Sequence, residues 1–328
     1  MYKRQVFLDP NTLSEDGTVA LAAASFSEDG RYFAYAAAAS GSDWVEIRVK
    51  DTETGELTAD KINWVKNSGA EWAPDSKGFY YSGYEAPDGS VYSSQNQYQK
   101  VYYHELGTPQ SADRLVYEDR EHPLCYFWAW PSEDGKWLFI LASEGTSGTE
   151  VLYRRSSEKR FRTLLEGFDA DYAPVTVKDD VLYYVTNRDA MNYALCRVDL
   201  NSPKQIETVI PEHETTLLEG VSSVGGYLFA SYLENAQDKI VQFDFDGRRV
   251  RDVQLPAIGT VGGFYGDDET TELYYTLTNY TSPATVYHYD IASAESTLYK
   301  APEVNFDSSL FVTEQVFYPS KDGTKVPM

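Results

Sequence analysis

The residues able to do chemistry are few and scattered. Four histidines, His104, His122, His213 and His288, are the candidate bases or metal ligands, because imidazole serves both purposes near neutral pH. None lies at paired metal-ligand spacing or beside an obvious nucleophile. A nucleophile elbow would read Gly-x-Ser-x-Gly, with the serine on a strained turn between strand and helix. The chain has no such run. The nearest stretches, Gly145-Thr146-Ser147-Gly148 and Gly220-Val221-Ser222-Ser223, have the wrong spacing and read as turns between strands. Ser156-Ser157-Glu158-Lys159 has Ser-x-x-Lys spacing but sits in a charged hairpin tip, where no buried lysine can act as a base. Asp244-Phe245-Asp246-Gly247 has the start of a calcium loop without its downstream bidentate Glu, so it reads as a hairpin turn. No phosphate-cradling Gly-rich loop occurs. Cys125 and Cys196 have no Cys-x-x-Cys or Cys/His spacing and read as reduced thiols on strands. The expectation is a chain with no catalytic set of its own, no metal and no cofactor. Asp43 is the acidic residue singled out, because it sits in a small-residue loop before a large aromatic, Ser40-Gly41-Ser42-Asp43-Trp44.

The elements that would position these residues follow a repeat. A polar Asp/Gly turn, an aromatic strand, a short connection, a second strand and another polar turn recur along the chain. The first strands are Arg31 to Tyr35, Gly78 to Ser82, Lys136 to Ile140, Val181 to Val185, Tyr227 to Ser231 and Glu272 to Thr276. Taking Tyr32, Phe79, Trp137, Leu182, Leu228 and Leu273 as equivalent gives spacings of 47, 58, 45, 46 and 45. The long interval holds the polar stretch Ala86 to Gln99, which reads as an enlarged loop. The partner strands are Val45 to Val49, Val101 to His104, Val151 to Arg154, Ala194 to Val198, Ile240 to Phe243 and Val286 to Tyr289. Turns such as Asp51-Thr52-Glu53-Thr54-Gly55 follow them, with residues that tolerate tight backbone geometry. Within those partners, Tyr102-Tyr103-His104 and Tyr287-His288-Tyr289 place two histidines in equivalent strands, so a repeated structural position accounts for both.

A period near 45 residues with several strands per repeat points to an all-β chain, a β-propeller of four-stranded sheets, each burying its faces against its neighbours. Helical solenoids would need apolar residues every 3.6 positions, which these short alternating segments lack. Composition agrees. Aromatic residues make up 15% of the 328 residues, with 27 Tyr, and suit strands packed face to face. The 51 acidic and 28 basic residues give a formal charge of -23, which argues against nucleic acid as a partner. No apolar run reaches the ~20 residues that cross a bilayer, and Met1-Tyr2-Lys3-Arg4-Gln5 has no hydrophobic signal core, so no membrane role is expected.

Seven stretches, in order along the chain, resemble one family, the prolyl oligopeptidases, serine peptidases that cut short peptides after proline. They are Val6-Phe7-Leu8-Asp9-Pro10-Asn11, Asp16-Gly17-Thr18-Val19-Ala20-Leu21, Phe26-Ser27-Glu28-Asp29-Gly30, Ser40-Gly41-Ser42-Asp43-Trp44, Gln99-Lys100-Val101-Tyr102-Tyr103-His104, Pro211-Glu212-His213-Glu214 and Tyr318 to Met328. The resemblance implies a seven-bladed propeller with blades two to seven visible here as six hairpins, blade one incomplete. It implies a propeller over residues 1–315 and, over 316–328, the start of a return segment into an α/β-hydrolase domain that carries the Ser, Asp and His. On this reading the chain is a fragment, inactive alone, and Met1 to Gln5 match nothing in the family. The propeller caps the active site and admits short peptides. The expected partners are that covalently linked hydrolase domain and a short peptide substrate. The expected compartment is the cytoplasm, or the periplasm if a signal peptide preceded the fragment.

By the same resemblance Asp43 faces the hydrolase domain and pairs with an arginine there. Other cavity positions depart from the family pattern. Val65-Lys66-Asn67-Ser68 puts the amide of Asn67 where the family has an aromatic subsite wall. Counted from Ser132-Glu133-Asp134-Gly135, Tyr126 replaces a methionine, and Ser143 and Thr146 replace an arginine and a cysteine. Two other readings compete. A stand-alone propeller acting as a protein-interaction scaffold is the alternative, since fold does not dictate function, but a ring lacking a blade would expose strand edges. A propeller glycosidase would want repeated Ser-x-Asp-x-Gly-x-Thr-Trp turns, which are missing.

Overall fold

Each hairpin of the first part of the chain grows from a turn locked by its own side chains. In the computed structural model, which describes residues 6–87 and 95–328, Ser27 Oγ donates to Asp29 at 2.7 Å, and Asp29 accepts the Arg31 N–H at 3.0 Å. Ser27 N–H then donates to the Tyr32 carbonyl at 2.9 Å. Ser132, Asp134, Lys136 and Trp137 repeat the arrangement, with Ser132 Oγ to Asp134 at 2.7 Å and Ser132 N–H to the Trp137 carbonyl at 2.9 Å. Short polar side chains that bond their own backbone make such turns self-sufficient, so the strands on either side leave them in fixed register.

The chain divides into two compact units, residues up to Asp171 and residues from Tyr172. The first holds β1 (Val19–Phe26), β2 (Tyr32–Ala39), β3 (Trp44–Asp51), β4 (Leu57–Lys66), β5 (Glu71–Trp72), β6 (Gly78–Gly83), β7 (Lys100–Glu105), β8 (Arg114–Glu118), β9 (Tyr126–Pro131), β10 (Trp137–Ser143), β11 (Glu150–Arg155) and β12 (Arg162–Leu165). The second holds β13 (Tyr172–Lys178), β14 (Val181–Thr186), β15 (Ala194–Asp199), β16 (Ile206–Ile210), β17 (Leu217–Val224), β18 (Tyr227–Glu234), β19 (Gln237–Phe243), β20 (Arg249–Asp252), β21 (Thr260–Gly263), β22 (Glu272–Asn279), β23 (Ser282–Asp290) and β24 (Glu295–Lys300). A short hairpin of β25 (Phe317–Pro319) and β26 (Lys325–Pro327) follows. Consecutive strands pair antiparallel in sets of four, and the six expected hairpins are the two middle strands of these sets. The first two sets are joined into one sheet by a single pairing, Val65 with Gly83.

Within each unit the sheets bury their faces in shared clusters. In the first unit Ala34, Ile47 and Ile62 pack with Trp72 and Phe79, and Val101 packs with Phe127, Leu138 and Ile140. In the second, Leu195 and Tyr183 pack with Leu228 and Val241, and Phe229 and Ile240 with Leu273, Tyr275 and Tyr289. Side chains such as Phe79, Phe139 and Leu228 are wholly enclosed, each worth about 1.5–3 kcal/mol of burial.

Three expectations need correction, and one falls partly out of view. The locked turns close on Tyr32, Gly78 and Trp137, so Phe79 matches Phe33 and Leu138 rather than Tyr32 and Trp137, and the strand pairings put Leu182, Leu228 and Leu273 in register with Phe79. Aromatic residues stand at neighbouring positions on opposite faces, which hides a one-residue slip from a reading by residue type. Gly78 is required at its place, because a Cβ there would lie 2.1 Å from the His104 carbonyl oxygen. Nor do His104 and His288 share a position: His104 lies opposite Phe79, whereas Tyr289 lies opposite Leu273, the residue in register with Phe79, and His288 lies opposite Tyr274. Gly220 to Ser223 is not a turn but part of β17, with Gly220 at an irregularity in its pairing to β18. The enlarged loop expected from Ala86 to Gln99 lies in part, at 88–94, outside the described residues, as does Met1 to Gln5.

Candidate functional site

The residues singled out around Asp43 come together at one end of the first sheets. The Ser40–Trp44 loop turns through left-handed backbone at Ser40 and Gly41, and Ser42 Oγ accepts the Trp44 N–H at 3.1 Å. This leaves Asp43 72% exposed, with one carboxylate oxygen 3.1 Å from Lys66 Nζ. Lys66 itself is only 19% exposed and lies over the Trp44 ring, 5.7 Å from its centroid. A cation held on an indole face and partly shielded from water interacts more strongly with both ring and carboxylate than a free surface lysine does.

Backbone distortion presents this group. Between Ile62 and Val65 the pairing of β4 to β3 slips, and Trp64 takes φ 59° and Asn67 φ 54°. Asn tolerates that region, but a bulky aromatic there is a true outlier, costing roughly 1–3 kcal/mol. Neighbours hold the segment in place. Tyr84 N–H donates to the Trp64 carbonyl at 2.9 Å, Gln99 Nε2 to the Lys66 carbonyl at 3.0 Å, and Trp128 Nε1 to the Asn67 carbonyl at 3.0 Å. Gln99 is wholly buried, and its Oε1 accepts the Phe127 N–H at 2.7 Å. The result is an aromatic surface in which Trp44 meets Trp64 and Tyr84 edge to face and Tyr126 lies beside Trp128.

Asp43, Asn67 and Tyr126 therefore belong to one neighbourhood. Asn67 is exposed and Tyr126 half-buried. Ser143 and Thr146 belong to the β10–β11 connection. Ser143 is buried, its hydroxyl donating to the Gly148 carbonyl at 2.8 Å, while Thr146 is exposed in the loop. Sequence reasoning missed Lys66, Gln99 and Trp128 as members of this group. Lys66 and Gln99 stood in stretches already singled out, Val65-Lys66-Asn67-Ser68 and Gln99 to His104; the contacts made by Gln99 and Trp128, which span 33 and 61 residues, had no signal.

The histidines are otherwise engaged. His104 is wholly buried, with Nε2 2.9 Å from Asp60 and Nδ1 2.7 Å from Asp113. Burial works against its charged form, but hydrogen bonds to Asp113 and then Asp60 outweigh burial and raise its pKa to about 9. Both nitrogens must donate to satisfy both carboxylates, so the ring is an imidazolium, with no lone pair for general-base work. The network continues through Asp60, which accepts the Gly107 N–H, and Asp113, which accepts the Tyr81 hydroxyl at 2.7 Å. His122 pairs with Asp119 at 2.9 Å and faces the Phe168 ring, and His288 pairs with Glu272 at 2.7 Å. Among the described residues no cluster of three or more His, Cys, Asp or Glu is arranged to hold a metal ion. Asp244 accepts the Asp246 and Arg248 N–H groups, the bonding of a hairpin turn. The two cysteines are free thiols, both buried.

A family model described as the prolyl oligopeptidase N-terminal β-propeller domain matches residues 2–302. The chain belongs to this family. Over 328 residues the prolyl oligopeptidase propeller is 38% identical to a prolyl endopeptidase of Elizabethkingia meningoseptica, covering 99% of this chain and 46% of that protein. It is 32% identical to prolyl oligopeptidase A of Galerina marginata, covering 98% of this chain and 47% of the other. Solved structures agree. One from a study of two prolyl endopeptidases and their inter-domain dynamics superposes with a TM-score of 0.90 at 34% identity, over 98% of this chain and 48% of that one. Prolyl oligopeptidase B from Galerina marginata, bound to a 25mer macrocyclization substrate, superposes at 0.89 with 29% identity, over 98% and 48% of the two chains. The propeller thus spans about half the length of the curated relatives it matches. None of these comparisons favours the stand-alone scaffold.

Proposed function

We propose that this propeller restricts access to the active site of a prolyl oligopeptidase-type serine peptidase, so that short proline-containing peptides are cleaved after proline by a linked α/β-hydrolase domain. The observation that carries the reading is the match to the family's propeller over residues 2–302. Engagement of both His104 nitrogens by carboxylates takes that histidine out of the candidate bases. Asp43 is proposed as the interdomain residue: it is exposed, and its Lys66 partner positions it. Asn67 and Tyr126 are proposed as substrate-facing, beside the Trp128 indole. Ser143 is proposed to act through the shape of its loop, because its hydroxyl bonds the Gly148 carbonyl, and Thr146 through its exposed side chain.

The test is a chimaera in which this chain replaces the matching segment of the Elizabethkingia meningoseptica enzyme. A folded chimaera should cleave a short proline-containing chromogenic peptide and leave unfolded casein intact, while the chain alone cleaves neither. Equal rates on casein and the short peptide would sink the gating role. Asp43→Ala in the chimaera should raise KM or lower kcat several-fold; unchanged kinetics would remove Asp43 from the site.

A further inference from the structure

One segment reverses the acidity of the chain. Arg154-Arg155-Ser156-Ser157-Glu158-Lys159-Arg160-Phe161-Arg162, the turn from β11 into β12, carries five cations against one carboxylate, in a chain whose formal charge is -23. Packing brings the Arg114 guanidinium into electrostatic reach of Arg154: burial first, and repulsion from Arg114 with it, lower the Arg154 pKa.

Arg154 builds the tip of this hairpin. Its Nη1 donates to the carbonyls of Arg155 at 3.3 Å and Ser156 at 3.1 Å and to that of Glu158, while its guanidinium lies over the Phe161 ring, 4.9 Å from the centroid. Ser156 ties the tip to the Ser132–Lys136 turn, its hydroxyl donating to the Gly135 carbonyl at 2.6 Å and its N–H to the Lys136 carbonyl at 2.8 Å. The other guanidinium groups also rest on rings: Arg155 on Trp137 at 4.4 Å, Arg162 on Tyr153 at 5.0 Å and Arg114 on Tyr103 at 5.1 Å. An arginine stacked on an aromatic face is held in place, with less freedom to lose when its N–H fork meets an oxyanion.

The single carboxylate does not neutralise this set. Glu158 is taken by Arg162, 3.0 Å away. Arg114, Lys159 and Arg160 are exposed, and none of the three has a carboxylate partner among the described residues. Arg154 Nε is buried and has no hydrogen-bond partner among them either. Elsewhere cations are paired, as Lys61 is with Glu46 and Arg197 with Glu207. Cations gathered without carboxylates repel one another, and an anionic partner relieves that repulsion. Size and surroundings decide which anion fits. A nucleic acid or an anionic membrane extends well past the ~8 Å over which charges act at physiological salt. It would meet the remainder of a chain in which 51 acidic residues face 28 basic ones. A short run of carboxylates spans only the patch, and carboxylates match guanidinium forks in pairs.

We propose that the β11–β12 hairpin, with Arg114 beside it, is a docking surface for a short acidic segment of a partner protein, whose carboxylates pair with Lys159 and Arg160 at the tip. The surface is separate from the residues assigned to gating. Its tip adjoins the turn that leads into β10, whereas Ser143 ends β10, roughly 20 Å along the strand.

Fluorescence anisotropy of a labelled, amidated hexaglutamate peptide, titrated with the 328-residue chain shown to be folded by circular dichroism, tests this. The peptide should bind at about 50 mM salt and be released as salt rises. Lys159→Glu with Arg160→Glu, both at exposed positions, should weaken binding at least about tenfold. Lys321→Glu with Lys325→Glu makes the same change of net charge at exposed lysines of the β25–β26 hairpin and should leave binding within about twofold. No binding by the folded parent chain, equal losses in the two double variants, or binding indifferent to salt would overturn the proposal. So would tighter binding of a single-stranded oligonucleotide or of phosphatidylglycerol vesicles, lost in the same Lys159/Arg160 variant, which would assign the patch to phosphate. None of these outcomes depends on whether the chimaera gates casein.

Discussion

β7 and β23 occupy the same place in their sheets and carry near-identical aromatic tripeptides, yet their histidines meet opposite fates. In β7, Tyr102-Tyr103-His104 turns the histidine into the core, wholly buried between Asp60 and Asp113. In β23, Tyr287-His288-Tyr289 buries Tyr289 and leaves His288 25% exposed beside Glu272. A single step along a strand moves a side chain to the other face. The lesson is that residue content alone did not say which histidine was structural; register did.

The comparison can be broken most directly by deletion. His104→Leu removes the cation between two buried carboxylates, which should cost about 3–5 kcal/mol in a urea denaturation series. His288→Ala breaks a surface pair and should cost under about 1 kcal/mol. Similar losses from both would refute the contrast.

The next largest effect is on pH dependence. The folded pKa of His104 is raised to about 9 from an ordinary 6.5. Its contribution should therefore be fully present below pH 6.5 and lost as pH rises through about 9. Asp60 is shifted the other way: burial raises its pKa, but the His104 hydrogen bond and others outweigh burial and lower it from 3.8, so its contribution holds above that value and fades as pH falls further. Denaturation midpoints of the parent chain should fall between pH 6.5 and 9 relative to those of His104→Leu. Parallel curves would mean that His104 is not an imidazolium in the folded state. Imidazole nitrogen shifts in an NMR titration would give the same answer at one residue.

A smaller effect sharpens what partners are worth. Gln242 is wholly buried in β19, and neither its Nε2 nor its Oε1 has a hydrogen-bond partner among the described residues. His104 is equally buried and fully bonded. Gln242→Leu should raise stability by about 1 kcal/mol, because an apolar side chain of similar reach replaces an unsatisfied amide. Destabilisation by that variant would show that the amide is bonded in solution and that burial without a protein partner is not the cost assumed here.

How much was legible follows the same division. The hairpin pairs, the locked Ser-x-Asp-Gly turns and the ordered family stretches were all readable, because each depends on residues close in sequence. The register of Tyr32 and Trp137, the placement of Gly220 inside β17 and the equivalence assigned to His288 were misread. Each depends on which backbone groups pair across strands. Asp43 stood out from its loop, but its partner Lys66 lies on a different strand, and the clamps from Gln99 and Trp128 come from farther away still.

By itself, then, the sequence determined an all-β propeller of repeated hairpins, its family, and the loop that carries Asp43. Local side-chain bonding and alternation are properties of adjacent residues, so they survive in one dimension. Only the tertiary structure decided which face of β7 His104 occupies and that Asp60, 44 residues away, holds it there. It also decided that Trp64 is bent into left-handed backbone to complete an aromatic surface. Those outcomes rest on contacts between strands distant in sequence, where one step of register exchanges core for solvent.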